Sequence, residues 1–427
     1  MIEAGVRREP GGGPGYAMRA FFWMMLCGGA FIADANFRRR DVAEVAIDWQ
    51  VYLIVAVWAA AGLIALLNWR RSLRAVRTAG TFAVLVYFIV SLPVALVAPA
   101  PTYSMVLVVT NAAAFVFCVG VPQVLGRDRT VRALVFGAVA YLAISLILYA
   151  LVPDIGQHRH EVTSFGVPFQ RIAGLSHPNK IGWMAGLLLI ATVTSLPRTL
   201  TRSVTWTVVL SLSLVCLVLA FSRTAFLGAL LALLLSRALF RPLTWGLAIG
   251  TLVAAVALLV VGFGFGPGDA GLTLISRSGG GDTAEITTLT GRLLVWTTTA
   301  GFIAQSPIIG HGVGAIRSLL VDAFYGGGFV PDQAHNLYLN ILADSGVVGL
   351  ALLTVAFVQL VRRHRQRRDQ FWLTAALFVG ITGLTEAHLM AGPPSYTSLV
   401  VWCGLGVGLL PHTDDRTVPF HVSAAPV

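Results

Sequence analysis

The chain has 427 residues, 56% of them hydrophobic, with 30 Lys and Arg against 19 Asp and Glu. Soluble domains carry about 25% charged residues, so 11% over this length leaves too little polar surface to clothe a water-soluble fold. The net charge of +11 is no nucleic-acid footprint either, because the basic residues sit mostly between apolar runs.

Those runs recur from residue 17 to residue 410, each near the ~20 residues with which a helix crosses a bilayer. A membrane β-barrel would show short alternating segments instead, so the expected fold class is all-α integral membrane. The spans are predicted at 17–33, 46–67, 80–98, 103–121, 131–152, 182–196, 204–221, 224–240, 243–264, 337–361, 371–390 and 395–410, about twelve transmembrane helices. The polar stretch before the first run reads as a tail, and Arg38-Arg39-Arg40 after it gives no convincing signal-peptide cleavage site. Cys27, Cys118, Cys216 and Cys403 all fall inside apolar segments, where small buried hydrophobes are expected rather than disulfides or a metal cluster.

Every basic residue but Lys180 is an arginine, and alternate connections divide them unevenly. Sixteen arginines fall on one side, between Arg70 and Arg77, Arg127 and Arg132, Arg198 and Arg202, Arg237 and Arg241, and Arg362 and Arg368. The positive-inside rule makes that side cytoplasmic. Both termini then lie in the cytoplasm, and the two long connections, 153–180 and 265–334, face outward. Loops of such length in a compact protein are usually functional. Within the second, residues 290–305 read as an amphipathic helix at the membrane interface.

Four outward features carry chemistry. Arg223, in Phe221-Ser222-Arg223-Thr224, stands between two apolar runs with almost no loop. One helix over 204–240 would be ~55 Å long, too long for a ~30 Å hydrocarbon core, so the chain must turn at Ser222-Arg223. A guanidinium there is either a ligand group or an anchor snorkelling to lipid phosphate. Arg292, in Thr290-Gly291-Arg292, is either a second ligand group or the loop partner of Asp282 or Glu285. His335 follows Pro331-Asp332, and with Asp332 as helix cap it would lie in the first turn, where the positive helix end favours the neutral imidazole of a general base. The alternative is a capping or headgroup-binding histidine. Glu386 is a lone acid at the outer end of the eleventh run, able to orient an arginine, bind sugar or pair with a neighbouring helix.

Arg223-Thr224-Ala225-Phe226-Leu227 resembles the Arg-x3-Leu pattern of bacterial O-antigen ligases. His335-Asn336, nine residues, then Gly346-Val347-Val348-Gly349 is similar to their His-[Asn/Ser/Gln]-x9-Gly-x-x-Gly pattern. Gly291-Arg292, Trp296 and the Gly310-His311-Gly312-Val313-Gly314 turn look like the rest of a domain shared by O-antigen ligases and O-antigen or exopolysaccharide polymerases. The resemblance implies a GT-C-like glycosyltransferase of the bacterial inner membrane, metal-independent and without cofactor, with a large periplasmic loop between spans nine and ten. It implies a donor glycan on polyprenyl diphosphate, usually undecaprenyl, and a sugar hydroxyl as acceptor, on lipid A–core or another glycan. Arg223 and Arg292 would hold the diphosphate, and His335 would deprotonate or position the hydroxyl. Arg171 with Ser176-His177-Pro178-Asn179-Lys180 resembles a polymerase segment and adds Arg171, His177, Asn179 and Lys180 as possible acceptor or supporting residues, beside Asn336 and Glu386.

The chain then divides into a tail (1–16), N-terminal helices (17–203), a ligase/polymerase-like core (204–361), C-terminal helices (362–410) and a second tail (411–427). Gln157-His158-Arg159-His160-Glu161 reads as a mobile polar loop, and the run from Arg362 to Arg368 as a topology determinant touching lipid headgroups. A glycolipid transporter or flippase is the rival class. Transporters often bury charge along the transport path and contain internal repeats, whereas here most span centres are uncharged and no repeat is evident.

Overall fold

A run of apolar residues inside a bilayer meets no water, so its amides must be satisfied within one helix. The computed structural model describes residues 15–35, 49–67, 78–164, 167–195, 204–240, 292–325 and 330–411. Its N-terminal helices are α1 (Tyr16–Asp34), α2 (Trp49–Leu67), α3 (Ala79–Leu96), α4 (Pro101–Leu125), α5 (Arg127–Leu151) and the single turn α6 (Pro153–Gly156). After a hairpin of β1 (Gln157–Ser164) and β2 (Val167–Ile172) come α7 (Pro178–Ser195), α8 (Val204–Ala220) and α9 (Arg223–Phe240). The remainder is α10 (Arg292–Gln305), α11 (Ala315–Ala323), α12 (Leu337–Gln366), α13 (Gln370–Thr382) and α14 (Tyr396–Val407).

Among the described residues six helices, α1 to α5 and α12, are long and apolar enough to cross a membrane, and α8, α13 and α14 are shorter apolar helices. The chain is a mostly helical, multi-pass membrane protein. The expected ninth span (243–264), the loop from 265 to 291 and the tails 1–14 and 412–427 lie outside the described residues.

The bundle core is aromatic. Trp58, Trp402, Tyr87, Phe115 and Phe117 are each under 2% exposed. Phe22 stacks on Phe117, and Phe115 meets Trp402 edge-on, both with centroids 5.4 Å apart, which joins α1, α4 and α14. All four cysteines are buried and unpaired. At the far end from the histidine turn, Arg127 forks onto Asp369 with bonds of 2.6 and 3.0 Å, tying the start of α5 to the start of α13. Arg363 donates to Gly408 O, and Arg367 to Val407 O and Leu410 O. Part of the basic run therefore closes the open carbonyl end of α14, a structural task beyond topology.

Three expectations need correction. Residues 157–161 belong to an antiparallel hairpin, with Ser164 opposite Val167 and Glu161 opposite Gln170. Val162, Thr163, Val167, Phe169 and Ile172 are types that strands favour, and backbone pairing satisfies them where a loop would leave them wet. The eleventh run stops as a helix at Thr382, not near 390. Residues 383–395 are irregular because Pro393-Pro394 cannot continue a helix, and Ser395 opens α14 with a capping box to Ser398. Lastly, Asp332 does not cap the helix after His335. The cap is Asn336, whose side chain accepts from Tyr338 N and Leu339 N at 3.0 and 3.1 Å.

Candidate active site

The irregular segment after α13 presents carbonyls that no helix uses, and the site is assembled on them. Gly383 O accepts Leu337 N at 2.7 Å, Leu384 O accepts Asn336 Nδ2 at 2.9 Å, and Thr385 O accepts an Arg292 NH1 bond of 2.6 Å. Three consecutive residues thereby hold the start of α12 and the start of α10 together. The next residue is Glu386, only 2% exposed.

The Glu386 carboxylate is the hub. Its Oε1 accepts from Arg292 NH2 at 2.7 Å and from Asn179 Nδ2 at 3.0 Å. Its Oε2 lies 3.5 Å from His335 Nδ1, an ion-pair distance, and neither atom has another hydrogen-bond partner among the described residues. Asn179 passes the link on, its Oδ1 accepting Arg171 NH2 at 2.8 Å while Arg171 Nε donates to Ala220 O at 2.8 Å. Burial alone would raise the Glu386 carboxyl, yet the His335 contact and the Arg292 charge outweigh it and hold the group down to about 2. It is therefore an anion at neutral pH.

His335 itself has φ 49, the left-handed region that a non-glycine residue enters only when its surroundings impose it. Being outside the helix, it is aimed by the turn and not by a helical register. Its Nδ1 faces the carboxylate.

Arg223 opens α9 after a break in the helical backbone at Phe221, where φ is 47, so the long apolar stretch is interrupted where its length required. The guanidinium lies over the Phe221 ring, 5.4 Å from its centroid. Thr385 Oγ1 donates to Thr224 Oγ1 at 3.3 Å, which brings this helix start beside the carbonyl that holds Arg292. Lys180 is taken up elsewhere, 3.3 Å from Asp34 Oδ1 at the end of α1. His177 accepts Asn179 N on Nδ1 at 3.2 Å, and its ring meets that of His158 edge-on at 5.4 Å. Arg171, Asn179, Arg292, His335, Asn336 and Glu386 thus form one connected group. Arg223 borders it, His177 touches it through Asn179, and Lys180 points to a different acid. Asp282 and Glu285, the expected loop partners of Arg292, lie outside the described residues, and Glu386 takes that place.

Trp296 contributes a contact whose atom-level role sequence reasoning left unassigned, its Nε1 donating to Ala334 O at 2.9 Å beside His335. Thr385 was missed altogether, because a residue acting through its backbone carbonyl leaves no side-chain signature. Among the described residues no group of three or more His, Cys, Asp and Glu converges on a point that could hold a metal ion.

Residues 207–354 match the O-antigen ligase family. The match takes in Arg223, Arg292, His335 and the Gly346-Val347-Val348-Gly349 segment, the motifs that carry the resemblance in sequence. It supports membership of the O-antigen ligase and polymerase family and a glycosyltransferase-like activity. Arg171, Asn179 and Glu386 fall outside the matched O-antigen ligase stretch, yet they bond directly or in sequence to residues inside it. No curated protein matches the chain.

Proposed function

We propose that this protein transfers a glycan from polyprenyl diphosphate to a sugar hydroxyl at the outer face of the bacterial inner membrane. The observation that carries the reading is one buried carboxylate, Glu386, binding Arg292 and facing His335, within a chain whose residues 207–354 match O-antigen ligases. Arg223 and Arg292 bind the diphosphate, for which the guanidinium fork is the fitting geometry. Arg292 is held by Thr385 O and Glu386 along one side and turns the rest of its fork to the ligand. His335 Nε2 accepts the hydroxyl proton as the acceptor oxygen bonds to the anomeric carbon. The bond from that carbon to the diphosphate oxygen breaks in the same step, and polyprenyl diphosphate leaves with both electrons. Attack opposite the leaving group inverts the anomeric configuration. Glu386 offsets the positive charge arriving on the imidazole, as the acid does in a carboxylate–histidine pair.

Arg171, Asn179 and Asn336 act from behind, holding Glu386 and the histidine turn. His177, which touches the group through Asn179, flanks the acceptor side. The acceptor is lipid A–core in a ligase and a second lipid-linked glycan in a polymerase. Both use the same donor chemistry, and the match supports either; the ligase reading is the one put to the test first. Reconstitution with polyprenyl-diphosphate-linked glycan, with and without lipid A–core, tests it. One addition to the separate acceptor, lost in His335→Ala, is the expected result. A ladder formed from donor alone would mean a polymerase, and donor crossing liposomes without product would mean a flippase.

A further inference from the structure

The strained His335 backbone needs a restraint on both sides. On its C-terminal side the Asn336 cap and the Gly383 and Leu384 carbonyls supply one. On its N-terminal side Ala334 is held through both of its flanking peptides. Ala334 O accepts Trp296 Nε1 at 2.9 Å, and Ala334 N donates to Asn340 Oδ1 at 3.3 Å. Asn340 is 1% exposed, and its amide could face either way were nothing behind it. Behind it is Asp344, one turn along α12 and 3% exposed, whose Oδ2 accepts Asn340 Nδ2 at 3.1 Å. Both Asp344 oxygens accept backbone N–H bonds, so the group of Asn340 that meets Oδ2 is its NH2, which leaves the amide oxygen for Ala334.

Asp344 is in turn fixed by the turn before α11. Its Oδ2 accepts Gly314 N at 3.0 Å, its Oδ1 accepts Ile316 N at 2.9 Å, and its carbonyl accepts Gly312 N at 2.8 Å. The side chain thereby satisfies amides at the N-terminal end of α11 that the helix itself leaves open.

We propose that Asn340 and Asp344 are positioning residues that set the angle of the His335 imidazole through Ala334. The inference rests on His335 being the base. Asp344 fixes the orientation of Asn340, Asn340 holds the peptide before Ala334 and Trp296 the peptide after it, and the two together fix the backbone of Ala334 and so the direction in which the next side chain leaves the chain. No part of the device touches substrate, so damage to it alters the rate of the chemical step and leaves donor binding alone. A displacement of about 1 Å in a reacting group can cost about a hundredfold in rate.

The test uses the full-length protein in liposomes with lipid-linked donor and acceptor. It compares Asn340→Leu, Asp344→Asn and His335→Ala, each measured for kcat, donor KM and thermal unfolding. Asn340→Leu is expected to lower kcat about a hundredfold with donor KM unchanged. Asp344→Asn, whose amide can no longer accept both Gly314 N and Ile316 N, is expected to lower kcat at least about tenfold, again with donor KM unchanged. Wild-type kcat in either variant overturns the inference. Should the core variants fail to fold, Trp296→Phe removes the opposite grip from the partly exposed α10. It must then lower kcat without changing donor KM, and an unchanged kcat overturns the inference equally. Wild-type activity in His335→Ala instead sinks the reading of His335 as base, which separates the two failures.

Discussion

Exchanging Glu386 for glutamine keeps the shape of the hub and removes its charge. The amide would still accept from Arg292, yet it could not offset an imidazolium forming 3.5 Å away. Turnover is expected to fall about a hundredfold, within the range of a lost acid–base partner, and initial rates with saturating donor check it. Arg223→Lys is expected to weaken donor affinity about tenfold, because one charge-assisted bond of the fork is lost while the charge remains. Unchanged affinity would identify Arg223 as a lipid anchor. His388, in the same irregular segment, gives a pH effect of known sign. Its Nε2 lies 2.6 Å from Thr382 Oγ1 and its ring packs edge-on to Trp183 at 4.6 Å. Burial pushes the imidazole down to about 4 from an ordinary 6.5, against the opposing pull of Glu386. The unfolded chain therefore takes up a proton that the folded one refuses as pH falls from 6.5 to 4, and stability drops by at most about 1.4 kcal/mol per pH unit. Glu386, held at about 2 against an ordinary 4.5, starts to lose its contribution only as pH falls below 4.5. Thermal unfolding in detergent at pH 7.5 and 5 should show the slope, to which His177, pushed down by burial to about 3, adds with the same sign, and His388→Gln should lessen it.

At the scale of the elements, α12 explains the Gly-x-x-Gly spacing in physical terms. Gly346 sits inside the helix at φ 60 and ψ −168, and a methyl group there would overlap the Ile308 carbonyl. The kink frees Val347 N and Val348 N, which donate to Pro307 O at 2.9 Å and Ile308 O at 3.1 Å. The Gly310 to Gly314 turn, with φ of 70, 108 and 78 at its three glycines, is thus docked on the helix that starts at the histidine turn. Gly346→Ala is expected to destabilise the protein by about 1–3 kcal/mol, read as a fall in the unfolding midpoint with loss of activity in proportion. Much of this was legible in the sequence. The hydropathic runs located eleven helices, and the chain-length argument located the break between Ala220 and Arg223. The hairpin was not legible, because charged and polar residues in β1 masked its strand-forming neighbours. Nor was the cap at Asn336, since Asp332 and Asn336 are both good caps and only packing against Leu384 chooses between them. The Glu386 hub joins residues far apart in the chain, and no local pattern announces such convergence.

For the whole molecule, the residues that meet at Glu386 come from both sides of the family-matched stretch. Arg171 and Asn179 precede residue 207, and Glu386 follows residue 354. Removal of either flank should therefore abolish activity even though Arg223, Arg292 and His335 remain. Sidedness can be tested at Asp332, which is exposed, in a protein whose four native cysteines are buried. A cysteine at that position is expected to react with an impermeant maleimide from the periplasm of intact cells. Labelling only after the inner membrane is opened would reverse the topology.

The kink in α12 also divides its 30 residues into unequal parts. From Val347 to Gln366 the helix runs about 30 Å at 1.5 Å per residue, the thickness of a bilayer's hydrocarbon core. One end of that segment carries the arginines bound to α14, and the other carries the bend on which the histidine turn rests. The segment is a ruler laid across the membrane. With its lower mark pinned by Arg363 and Arg367, the height of the His335 turn is set by helix length and not by loops. Lipids with longer or shorter tails should then shift the rate with no change to any residue of the site.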